Sequence, residues 1–381
     1  MNNKNIYLDN HASTQIDNRV YKKMLPFYKE TFGNAHSASH AHGWISEKFI
    51  KLSRSKIAKA INANDEEIFF TSGATESNNL IIKGLALSQQ KKKHIITCVT
   101  EHKCVLESCK FLEKIGYRIT YLEVNKYGEI NLNKFKNLIN NNTFLVSLMC
   151  VNNEIGTIHP IKKIGEICKK EKIFFHTDAS QALGKIEFDI NYLNVDSASF
   201  SSHKIYGPQG VGVLFIKKRN DIKLIPLLSG GGQENGLRSG TLPTALCVGF
   251  GYATELVVKE RAKNMKKIKN LKNTFLNILK KNEVKFILNG KNTIDNNINI
   301  TFPNVDGDFL FSKLDNVSLS SGSACGSGSG EPSYVLEKIG VKKSDAKSTL
   351  RIGIGKNNTK KEIEYCAFKI LKILKEMGIN N

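Results

Sequence analysis

Short runs of β-forming residues recur along the first half of this chain, and stretches with helical spacing of apolar residues separate several of them. Candidate strands are Ile68 to Phe70, His94 to Val99, Arg118 to Val124, Thr143 to Cys150, Ile173 to His176, Ser197 to Phe200 and Gly212 to Ile216. Amphipathic stretches such as Glu76 to Ser88 and Ile161 to Lys172 lie between them. Parallel neighbours in a sheet need a long crossover, usually a helix, so this alternation specifies an α/β domain with a mostly parallel sheet. From about Thr244 the pattern changes to a long helical stretch (Cys247 to Leu279), short strands (Asn297 to Thr301, Ser318 to Ser320, Thr349 to Ile352) and a last helix, Lys360 to Met377. That order fits a smaller α+β domain. At 381 residues the chain exceeds the roughly 100 to 200 typical of one domain. The expected partition is a large domain over 16–245 and a small one built from 1–15 and 246–381, with the polar Tyr7-Leu-Asp-Asn-His-Ala-Ser-Thr segment returning to the active site or the small domain. No repeat at solenoid spacing and no Pro- or Gly-rich linker divides it.

No run approaches the roughly 18 consecutive apolar residues that span a bilayer, and the Met1-Asn-Asn-Lys start lacks the apolar core of a signal peptide, so a cytoplasmic protein without membrane contact is expected. The eight cysteines form no CxxC pair. Cys98, Cys150 and Cys168 sit in apolar runs, as reduced packing residues do. The net charge of +21 raises nucleic-acid binding as a class. The excess lies in Lys-rich helical segments such as Lys259 to Lys281, which read as solvated faces, so direct nucleic-acid binding is not expected.

In an open α/β sheet, ligands sit beyond the carboxyl ends of the strands, and four segments offer chemistry there or nearby. Ile68-Phe-Phe-Thr-Ser-Gly-Ala-Thr breaks from a strand into Gly73 and small hydroxyl residues before a helix, a phosphate cradle in form, although ordinary helix capping uses the same residues. Ile173-Phe-Phe-His-Thr-Asp ends an apolar strand on Asp178. A buried carboxylate needs a cation or donors, and a protonated pyridine nitrogen is one such partner; a structural Asp capping a turn is the alternative. Lys204 follows a strand and sits among Ser, His, Tyr and Gly, where a partly desolvated amine can form a Schiff base. Cys325 lies in Ser-Ser-Gly-Ser-Ala-Cys-Gly-Ser-Gly, which has almost nothing to pack against and leaves the thiol reach. Arg351, in Thr-Leu-Arg-Ile-Gly, is a candidate carboxylate clamp.

Taken in order, Phe32-Gly-Asn with His40 and Gly43, TSGATESNN, EHK, VNNEIG, HTDASQ, SSHKIYGP, GGGQE, RSGT and SSGSAC resemble the motifs of the cysteine desulfurases, fold-type I pyridoxal-phosphate (PLP) enzymes of aminotransferase class V, especially the iron–sulfur-assembly and nitrogen-fixation type. The resemblance runs from Tyr7-Leu-Asp to the last helix. It implies a seven-stranded, mostly parallel sheet in the large domain, a homodimer, and conversion of L-cysteine to L-alanine with a persulfide on Cys325. By the same resemblance Lys204 would hold PLP, Asp178 would pair with the pyridinium nitrogen, Gln181 would contact the phenolic oxygen, and His102 would stack on the ring and move protons. Ala74, Thr75, Ser201 and His203 would hold the phosphate, with Thr241 supplied across a dimer interface. Asn153 would contact cofactor and substrate, and Arg351 the substrate carboxylate. No metal ligand set is implied; the Cys325 persulfide would be the one point of transient contact with an iron–sulfur cluster.

Three departures from the pattern stand out. Asp9-Asn-His-Ala-Ser-Thr replaces a form with a small residue and two threonines, and Asn235 stands where a basic residue is common. The third is the ending at Lys375-Glu-Met-Gly-Ile-Asn-Asn, without the longer tail many relatives use on a scaffold partner, so docking in that usual way is not expected. Rival readings are another fold-type I enzyme, an aminotransferase or selenocysteine lyase, and a basic tRNA-binding protein without catalysis. The sulfur acceptor, whether an iron–sulfur scaffold, a tRNA-thiolation relay or another carrier, is not written in the sequence.

Overall fold

The computed structural model describes residues 5–89, 91–219, 222–321 and 332–378. Cys325 lies outside them. The strands, in chain order, are β1 (Ile6–Tyr7), β2 (Ile68–Thr71), β3 (His94–Cys98), β4 (Arg118–Leu122), β5 (Thr143–Ser147), β6 (Phe174–Asp178), β7 (Ser197–Ser201), β8 (Gly212–Ile216), β9 (Ile287–Leu288), β10 (Asn297–Thr301), β11 (Val317–Ser318), β12 (Ser320–Ser321) and β13 (Thr349–Gly353).

Seven of these form one sheet in the order β2-β8-β7-β6-β5-β3-β4. Only β8 runs antiparallel to its neighbours. Strands β3, β5, β6, β7 and β8 are buried along their whole length, which is why β5 and β8 read as near-continuous apolar runs; β7, Ser-Ala-Ser-Phe-Ser, alternates small polar residues with apolar ones. Because β2, β5, β6 and β7 point the same way, Thr71, Ser147, Asp178 and Ser201 all end at one edge of the sheet.

A second, antiparallel sheet has the order β12-β13-β10-β9, and β1 pairs in parallel with β11. One strand was expected over Ser318 to Ser320. Two form instead, because the chain changes partner at Leu319: β11 bonds to β1, and β12 adds to the edge of β13. Helix Thr244–Lys281, 38 residues long, joins the two units. Its Cys247, Phe250 and Val257 pack into the core of the large sheet, and its Ile268, Leu271 and Phe275 into the core of the small one. Asn297 and Asn299 of β10 both donate from Nδ2 to the Glu154 carbonyl, at 3.0 and 3.1 Å, so the small sheet grips the turn that follows β5. No helix among the described residues is long and apolar enough to cross a membrane.

Candidate active site

Strand β6 carries Asp178 to the carboxyl edge, where its two oxygens are held separately. Oδ2 accepts from Asn78 Nδ2 at 2.7 Å, and Oδ1 accepts from the Ser180 backbone N–H at 2.9 Å. Asn78 Oδ1 in turn lies 2.9 Å from His176 Nε2, and His176 Nδ1 lies 3.1 Å from Ser197 Oγ. Since the amide nitrogen of Asn78 serves Asp178, its oxygen must accept, which places a proton on His176 Nε2. Burial pushes His176 well below its ordinary value and keeps it neutral.

Lys204 ends the short turn Ser202–Lys204 that follows β7. Its Nζ donates to the carbonyls of His11 and Ala12, both at 2.7 Å. The N-terminal segment therefore lies against the lysine, and Thr14 pins it there by donating from Oγ1 to the His203 carbonyl at 2.8 Å. Gln181 Nε2 also donates to the His11 carbonyl, at 3.0 Å. The return of the N-terminus to the active site is thus a matter of backbone carbonyls. The His11 ring itself is fully buried and held well below its ordinary value, first by desolvation and then by Lys185, Arg351 and Lys204.

Helix Ala74–Ser88 begins at Gly73 with no side-chain cap, so its first N–H groups stay open to the cavity edge. Thr75, Ser201 and His203 line the same space. Gly212 of β8 closes it from below: a Cβ there would stand 2.5 Å from the Gly73 Cα, a contact no side chain can make. Burial first, then Lys204 and Lys185, push His203 down to about 4, so its ring is neutral.

On the opposite wall His102 caps helix Lys103–Lys114, its Nδ1 accepting from the Cys104 N–H at 3.3 Å with Cys104 Sγ 3.0 Å away. Arg351 of β13, only 2% exposed, reaches in from the small sheet. Its Nη2 meets Asp9 Oδ1 at 2.9 Å and Ser320 Oγ at 3.0 Å, and its Nη1 meets the Asn153 carbonyl at 3.3 Å.

Together these residues line one cavity of about 570 Å³, which brings together Ala74, Thr75, His102, Asn153, Asp178, Gln181, Ser201, His203, Lys204 and Arg351. Thr241 is exposed and does not line it. Sequence reasoning did not single out Asn78, Asp9 or Lys185 as site residues, although Asn78 and Asp9 sit inside the motifs TSGATESNN and Tyr7-Leu-Asp. Cys98 and Cys150 are buried and pushed up to about 12 by desolvation, as inert packing thiols are.

An amine from the turn after β7, a donor-held carboxylate at the end of β6 and an uncapped helix start around one cavity are the parts a phosphorylated pyridine aldehyde needs. Asn153 Oδ1 and Ser180 Oγ, buried in this cavity without hydrogen-bond partners among the described residues, leave polar groups for such a ligand to meet. Fold and site define a PLP enzyme of fold-type I. The aminotransferase class-V family model matches residues 6–366. The chain is 49% identical to cysteine desulfurase IscS of Rickettsia africae over 363 residues, covering 94% of this chain and 88% of that protein. A solved NifS-like protein superposes with a TM-score of 0.90 at 37% identity, covering 97% of this chain and 99% of that one. The structure titled SspA in complex with cysteine superposes with a TM-score of 0.81 at 39% identity, covering 93% and 100%. The chain belongs to the class-V aminotransferase family and, within it, to the cysteine desulfurases.

Proposed function

We propose that this chain takes sulfur from L-cysteine onto Cys325, releasing L-alanine, and that the residues of the 570 Å³ cavity divide the work among them. The observation that carries this reading is the meeting of Lys204, Asp178 and Gln181 in that one cavity. Bound there, PLP supplies an electron sink that acidifies the substrate α-carbon. The first-turn N–H groups at Ala74 and Thr75, with Ser201 and His203, would hold its phosphate, Asp178 would pair with its ring nitrogen and Gln181 would donate to its phenolic oxygen. The Lys204 amine would anchor the cofactor, and its Nζ takes the substrate α-proton. His102 would stack on the ring and offers a second site for proton transfer. Arg351 and Asn153 bind and orient the substrate, Arg351 through its carboxylate.

The Cys325 thiolate attacks the substrate sulfur: an S–S bond forms, the C–S bond breaks with its electron pair going to carbon, and protonation there, with return of the α-proton from Lys204 Nζ to the α-carbon, gives alanine. Mass spectrometry after cysteine treatment tests this, with a gain of about 32 Da, one sulfur atom, confined to Cys325. Full alanine production by Cys325→Ala would overturn it.

We further infer a homodimer. Thr241, absent from its own chain's cavity, serves the phosphate of a second copy. Support comes from the exposed apolar side chains of helix Ala41–Ile61, among them Trp44 at 55% exposed, and of the stretch before Thr241, Ile225, Leu227 and Leu228. The persulfide then passes to an iron–sulfur scaffold or another sulfur carrier. The described cysteines are all free, as suits the cytoplasm. A division into a large unit over 16–245 and a small one from 1–15 and 246–381 remains the working partition, with helix Thr244–Lys281 as the shared strut.

A further inference from the structure

Lys185 lies four residues beyond Gln181, after the turn that ends β6. Its Nζ sits 2.5 Å from Gln181 Oε1, while Gln181 Nε2 donates to the His11 carbonyl at 3.0 Å. A lysine ammonium carries donors only, so the atom it touches is the amide oxygen. That contact and the acceptor-only His11 carbonyl together fix the orientation of the amide. One N–H of Gln181 goes to His11, and the second is left for the main cavity, which Gln181 lines and Lys185 does not. Lys185 lines a separate cavity of about 20 Å³ with Lys204, Tyr206 and Asn296.

Among the described residues, the titratable groups around Lys185 include His203, whose ring it and Lys204 help to lower. Lys204 and Tyr206 face it from the segment after β7 and His11 from the N-terminal segment, whereas helix Thr244–Lys281 brings Val257, Asn264, Met265 and Ile268. The Tyr206 hydroxyl is engaged, accepting from the Lys356 N–H at 2.8 Å. Burial and the charge of Lys204 push Lys185 down to about 7. An ammonium placed this way has the Gln181 oxygen as its compensating partner, and releasing either one leaves the other poorly satisfied.

We propose that Lys185 is a positioning residue for the cofactor: by holding Gln181 Oε1 it keeps the second Gln181 N–H available to the cofactor's phenolic oxygen. The proposal rests on the reading of this cavity as a PLP site. Without Lys185 only the His11 carbonyl opposes a turn of the amide, and a turned amide presents its oxygen, an acceptor facing an oxygen that needs a donor.

The experiment titrates the visible absorbance band of the purified holoenzyme with pH and follows cofactor loss by fluorescence. Wild type must display a band that vanishes in Lys204→Ala; its absence would overturn the cofactor reading itself, an outcome distinguishable from failure of the Lys185 role. With the band present, Lys185→Met moves its titration midpoint by about one pH unit, in the same direction as Gln181→Ala. Cofactor loss becomes about tenfold faster. Adding Lys185→Met to Gln181→Ala changes neither value further, because the effect runs through the amide. Lys185→Arg, which returns a donor to Oε1, restores the midpoint. A wild-type midpoint and rate in Lys185→Met, or an undiminished effect in the Gln181→Ala background, overturns the proposal. If the Met variant does not fold, Lys185→Leu, which also removes the donor, gives the same readings.

Discussion

Asp9 Oδ1 meets Arg351 Nη2 at 2.9 Å, so the arginine proposed to bind substrate already carries a carboxylate partner from the opposite end of the chain. Asp9 Oδ2 also accepts from the Ser320 hydroxyl at 2.8 Å, which makes the aspartate a brace for the guanidinium. Asp9→Asn is expected to lower stability by about 2 kcal/mol, below the cost of breaking a fully buried pair because Asp9 is 17% exposed. Thermal unfolding measures it. Arg351→Lys keeps a charge but loses the fork, and should raise KM for L-cysteine about tenfold with a smaller change in kcat.

Among the described residues Asn78 links Asp178 Oδ2, to which its amide nitrogen donates, with His176, from which its amide oxygen accepts. Asn78→Ala strips that hydrogen bond from a buried carboxylate, and the predicted result is cofactor binding weaker by about tenfold, at about 1.4 kcal/mol per decade. Titrating the apo form with PLP reads this directly. Binding at wild-type affinity would mean that the Ser180 N–H alone suffices to hold Asp178.

Glu154 is buried, its hydrogen bond comes from the Ser333 hydroxyl, and desolvation lifts it from 4.5 to about 7. A carboxyl raised in this way binds a proton in the folded state that the unfolded chain has already released. Its contribution is therefore complete below about 4.5 and is lost as pH rises to about 7, of order 3 kcal/mol in all. Glu154→Gln cannot release that proton. The wild-type minus variant stability difference, measured by urea unfolding, should fall across this window and level off above it.

Gly212 faces Gly73 beneath the phosphate cradle with no room for a methyl group. Gly212→Ala is expected to cost about 1 to 3 kcal/mol by overpacking and to weaken retention of the cofactor more than it alters the fold. Circular dichroism beside an absorbance scan separates the two effects.

Much of the site was legible because its residues end β-rich runs. Asp178 closes β6, Lys204 stands three residues past β7 and the cradle follows β2 directly, so local pattern and sheet geometry place all three. Asp9 and Lys185 act through contacts that only the folded chain makes. Asp9 reaches Arg351 because it forms a bridge with Gly353 of β13, a register no local periodicity contains. Lys185 reads as one lysine in a lysine-rich chain until the fold sets Gln181 beside it. The split of β11 from β12 was hidden for a related reason: partner exchange at Leu319 is decided by two sheets together.

Lys204 is held by carbonyls of residues 11 and 12, and the strand leading to them is set in place by β11 and by the Gly353 end of β13. Order of synthesis then matters. A nascent chain extended only as far as β8 has every strand of the large sheet, and Thr14 and Gln181 to hold its N-terminal segment, yet it lacks Cys325 and the Arg351 of β13. The last strand to emerge from the ribosome completes the site, so a half-made polypeptide has no means of drawing reactive sulfur from free cysteine.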